Sequence, residues 1–417
     1  MKFLRKSIYA AIILLFLMFV DGLSLNVVKA AEETSLPVYY VRFSEQGLPI
    51  YQEPALLTPI AILCDDTYVQ IVLGPLDSLV KIRIYGTEIE GYTDVKYLKK
   101  LDAIVYDYDI YTYEEMEEDI LLLYAKYPTL LRVDTAGTSA DGRNLYTLTI
   151  GNENASKHIL IHAGLHAREY INTLLVMEQL EQCLDYYDTG YYHNQSYREL
   201  FSSVAVHIIP MVNPDGIAIS QFGESALRSS ELVEIVRACY AYDSAMRRTK
   251  SSYERYLARW KANARGVDLN KNFPVGFVFD GTVSQPSYAG YAGEFPLSEP
   301  ESLSLGAVTL LYQPSIIINY HSMGEVAYWD TSESKYTAIN REFSTYMLSF
   351  VPYKRMGRGS ASGSYLDWIY SGETPVRSIT LETGNVACPL PPDQYPKIWL
   401  QHNMVVQAAV WYAYAGI

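Results

Sequence analysis

The pattern of apolar and polar positions divides the chain into three stretches. Lys2, Arg5 and Lys6 form a basic head, and an uncharged, mostly apolar run follows from Ile8 to Val20. Val28 and Ala30 fit a cleavage site after Ala30, so residues 1–30 are expected to be a secretory signal peptide. The run is shorter than the roughly 20 apolar residues of a membrane span, and no later segment is apolar enough to supply one. Residues 31–101 alternate short β-rich runs with turns. Strands are expected at 38–41, 61–63, 68–72 and 80–84, separated by turn residues such as Gly47-Leu48-Pro49 and Gly74-Pro75. The rhythm changes at Tyr106. A helix is expected from Tyr111, capped by Thr112, opened by an acidic first turn and stopped near Pro128. Apolar runs at 145–150, 158–162, 204–210, 315–320 and 378–381 then alternate with helical stretches. That order predicts an α/β domain over 106–417, with a mixed, mostly parallel sheet flanked by helices.

Composition narrows the class. The 417 residues are 49% hydrophobic and 19% charged, which excludes a disordered chain. The net charge is −14, and removing residues 1–30 takes away four cations and one anion, leaving −17. An acidic surface excludes nucleic acid as the main partner. Cys64, Cys183, Cys239 and Cys388 form no CxxC pair, so a zinc ribbon or thioredoxin motif is excluded. Mostly buried free thiols are expected.

Polar residues collect where apolar strands end. The strand at 158–162 leads into Gly164-Leu165-His166-Ala167-Arg168-Glu169-Tyr170. His166 and Glu169 are spaced i and i+3, which directs an imidazole and a carboxylate to one point when the segment curls. Both are zinc-ligand types, and a catalytic zinc takes three protein ligands plus water. The strand at 315–320 ends at His321, a third ligand in the position where open α/β sheets bind ligands. The strand at 377–381 ends at Glu382, a carboxylate placed to act as a general base. A fourth strand delivers Asn213-Pro214-Asp215-Gly216. His158, His162, His193, His207 and His402 have no carboxylate at ligand spacing and are expected to be packing or surface residues.

These segments, with Gly266-Val267-Asp268-Leu269-Asn270-Lys271-Asn272-Phe273, His321-Ser322 and Thr380-Leu381-Glu382, resemble the zinc metallocarboxypeptidases of the carboxypeptidase A-like family in order and spacing. Gly137 to Arg143, Tyr291 to Glu301 and Gly363 to Trp368 fit as well. The resemblance implies one zinc held by His166, Glu169 and His321, with Glu382 as general base and acid. It also implies substrate contacts from Arg168 and Asn270. The ending Gly86 to Leu98 resembles the closing hairpin of bacterial SH3-like domains, which implies a small barrel able to bind cell-wall peptides.

The chain departs from the family pattern at three places. Lys271 stands where the family usually has arginine, replacing a bidentate grip on carboxylate by a point charge. Arg358 and Arg377 are alternative sources of that grip. The position of the family's mobile tyrosine falls near Gly359. The oxyanion cation is best matched by Lys261, with Arg259 and Arg265 as competitors. These departures resemble the bacterial branch that cleaves γ-D-glutamyl–diaminopimelate bonds. The expected protein is therefore an exported or wall-associated zinc peptidase acting on muropeptides. The alternative is a secreted carboxypeptidase of broader specificity, removing carboxyl-terminal residues from peptides.

Overall fold

The computed structural model describes residues 36–106, 109–277, 283–332, 334–357 and 363–417. The expected leader, residues 1–30, lies outside them, as do Arg358 and Gly359. Among the described residues no helix is long and apolar enough to cross a membrane.

Seven strands open the described chain. They are β1 (Val38–Val41), β2 (Leu48–Tyr51), β3 (Pro59–Leu63), β4 (Tyr68–Leu76), β5 (Leu79–Ile84), β6 (Glu90–Asp94) and β7 (Leu98–Lys100). All pair antiparallel with one another. Two sequence expectations are corrected here. Leu48-Pro49 is not a turn but the start of β2, because Leu48 and Ile50 alternate into the core while Gly47, at φ +83°, makes the turn before it. Gly74-Pro75 lies inside β4, where register shifts against β5 absorb the irregular residues without ending the strand.

The second sheet carries the site. Its strands are β8 (Leu131–Thr138), β9 (Asn144–Gly151), β10 (His158–His162), β13 (Ala205–Ile209), β14 (Ile316–His321), β15 (Val326–Tyr328), β16 (Lys354–Arg355) and β17 (Arg377–Glu382). Their order is β16-β15-β17-β14-β10-β13-β9-β8. The central strands β17, β14, β10 and β13 are parallel, and the flanking pairs β13–β9, β9–β8 and β17–β15 are antiparallel. Parallel strands need both faces covered. Accordingly Ile159, Ile161 and Ile318 enter one apolar cluster, while Leu160 and Ile317 face the other with Phe273, Leu305 and Tyr365. The short hairpin β11 (Tyr191–Tyr192) and β12 (Gln195–Ser196) extends the first sheet through a contact with β4.

The helix Ile171–Asp185 lies between the two β regions and is buried from Ile171 to Leu184 despite its polar residues. Glu178, Glu181 and Asp185, at i, i+3 and i+7, share one face of it. Glu178 pairs with Arg42 and lies 3.4 Å from Lys99 Nζ. Glu181 accepts hydrogen bonds from the backbone N–H groups of Ile104 and Val105, at 2.6 and 2.9 Å. Asp185 accepts from Lys100 Nζ at 2.9 Å. A row of carboxylates thus receives cations and backbone donors of residues 42–105. The expected capping box at Thr112 and Glu115 is present at the start of the helix Tyr113–Lys126. All four cysteines are free, and only Cys64 is exposed.

Candidate metal and catalytic site

His321 and Glu382 are register partners at the carboxyl ends of the adjacent parallel strands β14 and β17. His166 and Glu169 come from the turn after β10. There Ala167–Glu169 form a 3-10 turn with His166 as its N-cap. Side chains three apart eclipse in that geometry, so the pair points to one place. The potential ligand atoms of His166, Glu169 and His321 all lie within 4.8 Å of one another, and all three residues are buried.

The donor set fits zinc. The Nδ1 atoms of His166 and His321 face each other at 3.0 Å, and each lies 3.0 Å from an oxygen of Glu169. Two imidazole nitrogens and a carboxylate turned toward one point suit a shared cation better than one another. Burial alone would raise the Glu169 carboxyl, but the charges of His166 and His321 and the hydrogen bonds they make hold it well below the usual range. Its Oε2 also accepts from Ser322 N at 3.1 Å. Burial pushes the Glu382 carboxyl up to about 7; His321 opposes that shift and the Glu169 charge adds to it.

A second layer steadies these groups. Asp268 is buried, with Oδ1 3.4 Å from His166 Nε2 and Oδ2 3.0 Å from Lys261 Nζ. It therefore joins a ligand imidazole to the nearby cation. Burial would lower the Lys261 ammonium, but the Asp268 and Glu169 charges raise it above its ordinary value. Lys261 and Arg168 both act on the Glu382 carboxyl. Arg265 points elsewhere, with Nη1 3.8 Å from Glu299. Behind the strand ends, Asn172, Ser322 and Thr383 are mutually hydrogen-bonded at 2.7–3.1 Å, and Thr383 N donates to His321 O.

Backbone contacts bring the segments together. Ala167 N donates to Lys261 O at 3.1 Å. Asn213 Nδ2 donates to Leu165 O and Ala262 O, tying the metal loop to the Lys261 segment. A Cβ on Gly216 would meet Ala262 O at 2.3 Å, so the motif needs glycine there. Asp215 has no place in the site; it holds Arg143 at 2.9 Å and accepts from Ser139. Asn270 and Lys271 lie in the 3-10 turn directly after Asp268, and Asn270 Oδ1 accepts from Tyr365 N at 3.0 Å. Gly363 packs on Lys271 so closely that a Cβ would meet its carbonyl oxygen at 2.2 Å.

Arg377 is not available for carboxylate binding. It begins β17, five residues and about 16 Å along the strand from Glu382, and its guanidinium lies over Tyr412. Asp268, Asn172 and Thr383 are site residues that ligand spacing does not single out. For Asp268 the signal is its place in the Gly-Val-Asp segment; for Thr383 it is adjacency to Glu382.

The family described as zinc carboxypeptidase matches residues 116–404. An uncharacterized protein of Bacillus subtilis (strain 168), YqgT, is 27% identical over 346 residues, covering 78% of this chain and 86% of that protein. Gamma-D-glutamyl-L-diamino acid endopeptidase 1 of Lysinibacillus sphaericus is 28% identical over 298 residues, covering 69% of each. Among solved structures, thrombin activatable fibrinolysis inhibitor aligns with a TM-score of 0.55 and 21% identity over 74% of this chain and 78% of its own. That likeness shows a shared fold.

Proposed function

The chain belongs to the zinc carboxypeptidase family, and from that premise we propose that it hydrolyses γ-D-glutamyl–diamino acid bonds in peptidoglycan peptides. The observation that carries this reading is the pair of lysines at the site. Lys261, held by Asp268, is assigned the oxyanion role in this reading, and Lys271 follows Asn270 where the family usually has an arginine to grip a terminal carboxylate. A lysine point charge does not enforce planar, bidentate recognition of a free carboxyl terminus. The relative named as a γ-D-glutamyl-L-diamino acid endopeptidase supports the same substrate class. The leader expected at residues 1–30 and the β region of residues 31–101 support an activity outside the cytoplasm, with the β region as a contact to the wall.

His166, Glu169 and His321 hold zinc in this reading. When bound, zinc acidifies water toward about pH 7 and polarises the scissile carbonyl. Glu382, beside His321 at the strand ends, accepts the proton of the attacking water and returns it to the leaving amine. Lys261 meets the negative charge that develops on the substrate oxygen. Asn270, Lys271 and Arg168 orient the substrate.

The test is digestion of L-Ala-γ-D-Glu-meso-diaminopimelate and of ordinary α-linked peptides, with products identified by mass spectrometry. Release of L-Ala-D-Glu is expected. Release only of carboxyl-terminal residues from α-linked peptides would replace this reading with a broad carboxypeptidase.

A further inference from the structure

We propose that Arg259, together with Arg168, forms an anion subsite on the acyl side of the scissile bond. In this assignment, which rests on the γ-glutamyl reading above, the subsite binds the free α-carboxylate of the glutamyl residue.

Arg259 is exposed at the end of the helix Tyr253–Ala258, two residues before Lys261. The bond from Ala167 N to Lys261 O sets its segment beside Arg168. Neither guanidinium has a carboxylate within 4.0 Å among the described residues, and Arg168 Nε is buried with no acceptor. A buried guanidinium N–H without an acceptor is costly unless a ligand supplies one, and that cost falls on Arg168. By contrast, Lys261 has Asp268, and Arg265 approaches Glu299.

Position assigns the side. The cations near the site fall in two groups. Lys271 lies with Asn270, against Gly363 and near Tyr365, between Leu269 and Phe273 of one apolar cluster. Arg168 and Arg259 adjoin Ala167 and Trp260 of a separate cluster, and both act on Cys388 together with Glu169 and Glu382. A substrate whose amine-side residue is held at Asn270 and Lys271 presents its acyl-side residue to the arginines. In an α-linked peptide that residue has its carboxyl consumed in the scissile bond. In a γ-glutamyl bond the side-chain carboxyl is consumed, and the α-carboxylate remains free on the α-carbon, two methylenes from the scissile carbonyl. Two guanidinium groups on that side match the group that distinguishes the γ linkage.

The experiment compares L-Ala-γ-D-Glu-meso-diaminopimelate with its α-carboxamide counterpart, in which D-isoglutamine replaces D-glutamate. The wild-type protein should prefer the carboxylate by about tenfold in kcat/KM, the size expected for a charge-assisted hydrogen bond. The preference should shrink with added salt, because Arg259 is exposed. Arg259→Gln should bring the ratio close to one, and Arg259→Lys should retain part of it. A ratio of one in the wild type, or a ratio unchanged in Arg259→Gln, overturns the subsite. Calorimetric binding of both peptides to zinc-loaded Glu382→Gln protein separates this from the functional reading. Arg259-dependent preference for the carboxylate without turnover of either peptide by the wild type would keep the subsite and refute the γ-glutamyl hydrolase. Equal binding of the two peptides would refute the subsite whatever the turnover.

Discussion

Replacing Glu178 by leucine tests whether the amino-terminal β region is a structural part of the protein. The Glu178 side chain is 6% exposed and faces Arg42 at 5% and Lys99 at 4%. It also accepts from the Tyr395 hydroxyl. Arg42 lies over the rings of Phe43 and Trp399, at 4.5 and 5.0 Å, so it is held in place and cannot swing to water cheaply. Glu178→Leu strips two buried cations of their shared carboxylate. Breaking a buried pair from one side costs about 3–5 kcal/mol. Unfolding entropy of roughly 2 cal/mol/K per residue over residues 36–417 converts this to a Tm lower by about 4–6 °C. The assay is thermal unfolding followed by circular dichroism, with hydrogen exchange across residues 38–100. Exchange should accelerate in that region and in the helix Ile171–Asp185. Adding Arg42→Met should recover part of the loss, since one of the two cations that faced Glu178 is then gone. A loss below about 1 kcal/mol would mean that these groups reach water, and the docked arrangement would be refuted.

Asp268→Asn removes the anion joining His166 to Lys261 and should weaken zinc binding about 10–100-fold in a chelator competition; unchanged affinity would exclude Asp268 as a support of the ligand. Lys261→Ala should lower kcat about 10²–10³-fold with a smaller change in KM, whereas Arg265→Ala should stay within about twofold. An equal loss from both would remove the assignment of Lys261. Glu301 is fully buried, and burial, with the Asp215 charge adding, pushes its carboxyl up to about 7 from 4.5. The folded state therefore binds more protons than the unfolded state between those values, and this group's contribution to stability falls as pH rises from about 4.5 to 7, then levels. Glu301→Gln should remove up to about 3 kcal/mol of that decline, read from urea midpoints at pH 5 and 7.5; parallel profiles for both proteins would refute the shift.

Much of the site is legible along the chain because its residues mark places where a local pattern stops. His321 and Glu382 terminate apolar runs, and a strand that ends a buried sheet must release its next residues at one rim. The i, i+3 pair His166 and Glu169 needs a single turn to converge. The β region is less legible. Leu48 and Ile50 sit beside Gly47 and Pro49, and the turn residues mask a two-residue alternation that becomes clear only when β3 and β6 are paired to it. Asp268 carries no ligand spacing and stands out in sequence only as part of the Gly266-Val267-Asp268 segment. Its role arises when His166, more than one hundred positions earlier, is brought to 3.4 Å.

The sequence by itself determined the α/β class, the three metal-binding residues and the carboxylate at the neighbouring strand end, because periodicity and strand termination are local properties of the chain. Tertiary structure alone decided how the neighbouring cations are partnered. Lys261, Arg259 and Arg265 lie within seven residues of one another, and only their partners separate them: Asp268 holds the first, Glu299 draws the third aside, and the second is left facing solvent. It also decided that a helix carrying Glu178, Glu181 and Asp185 is buried. Cations and backbone donors from residues 42–105, far away in the chain, meet those carboxylates across the interface. Charge pairing over such separations has no periodicity, so it becomes visible only when the chain is folded.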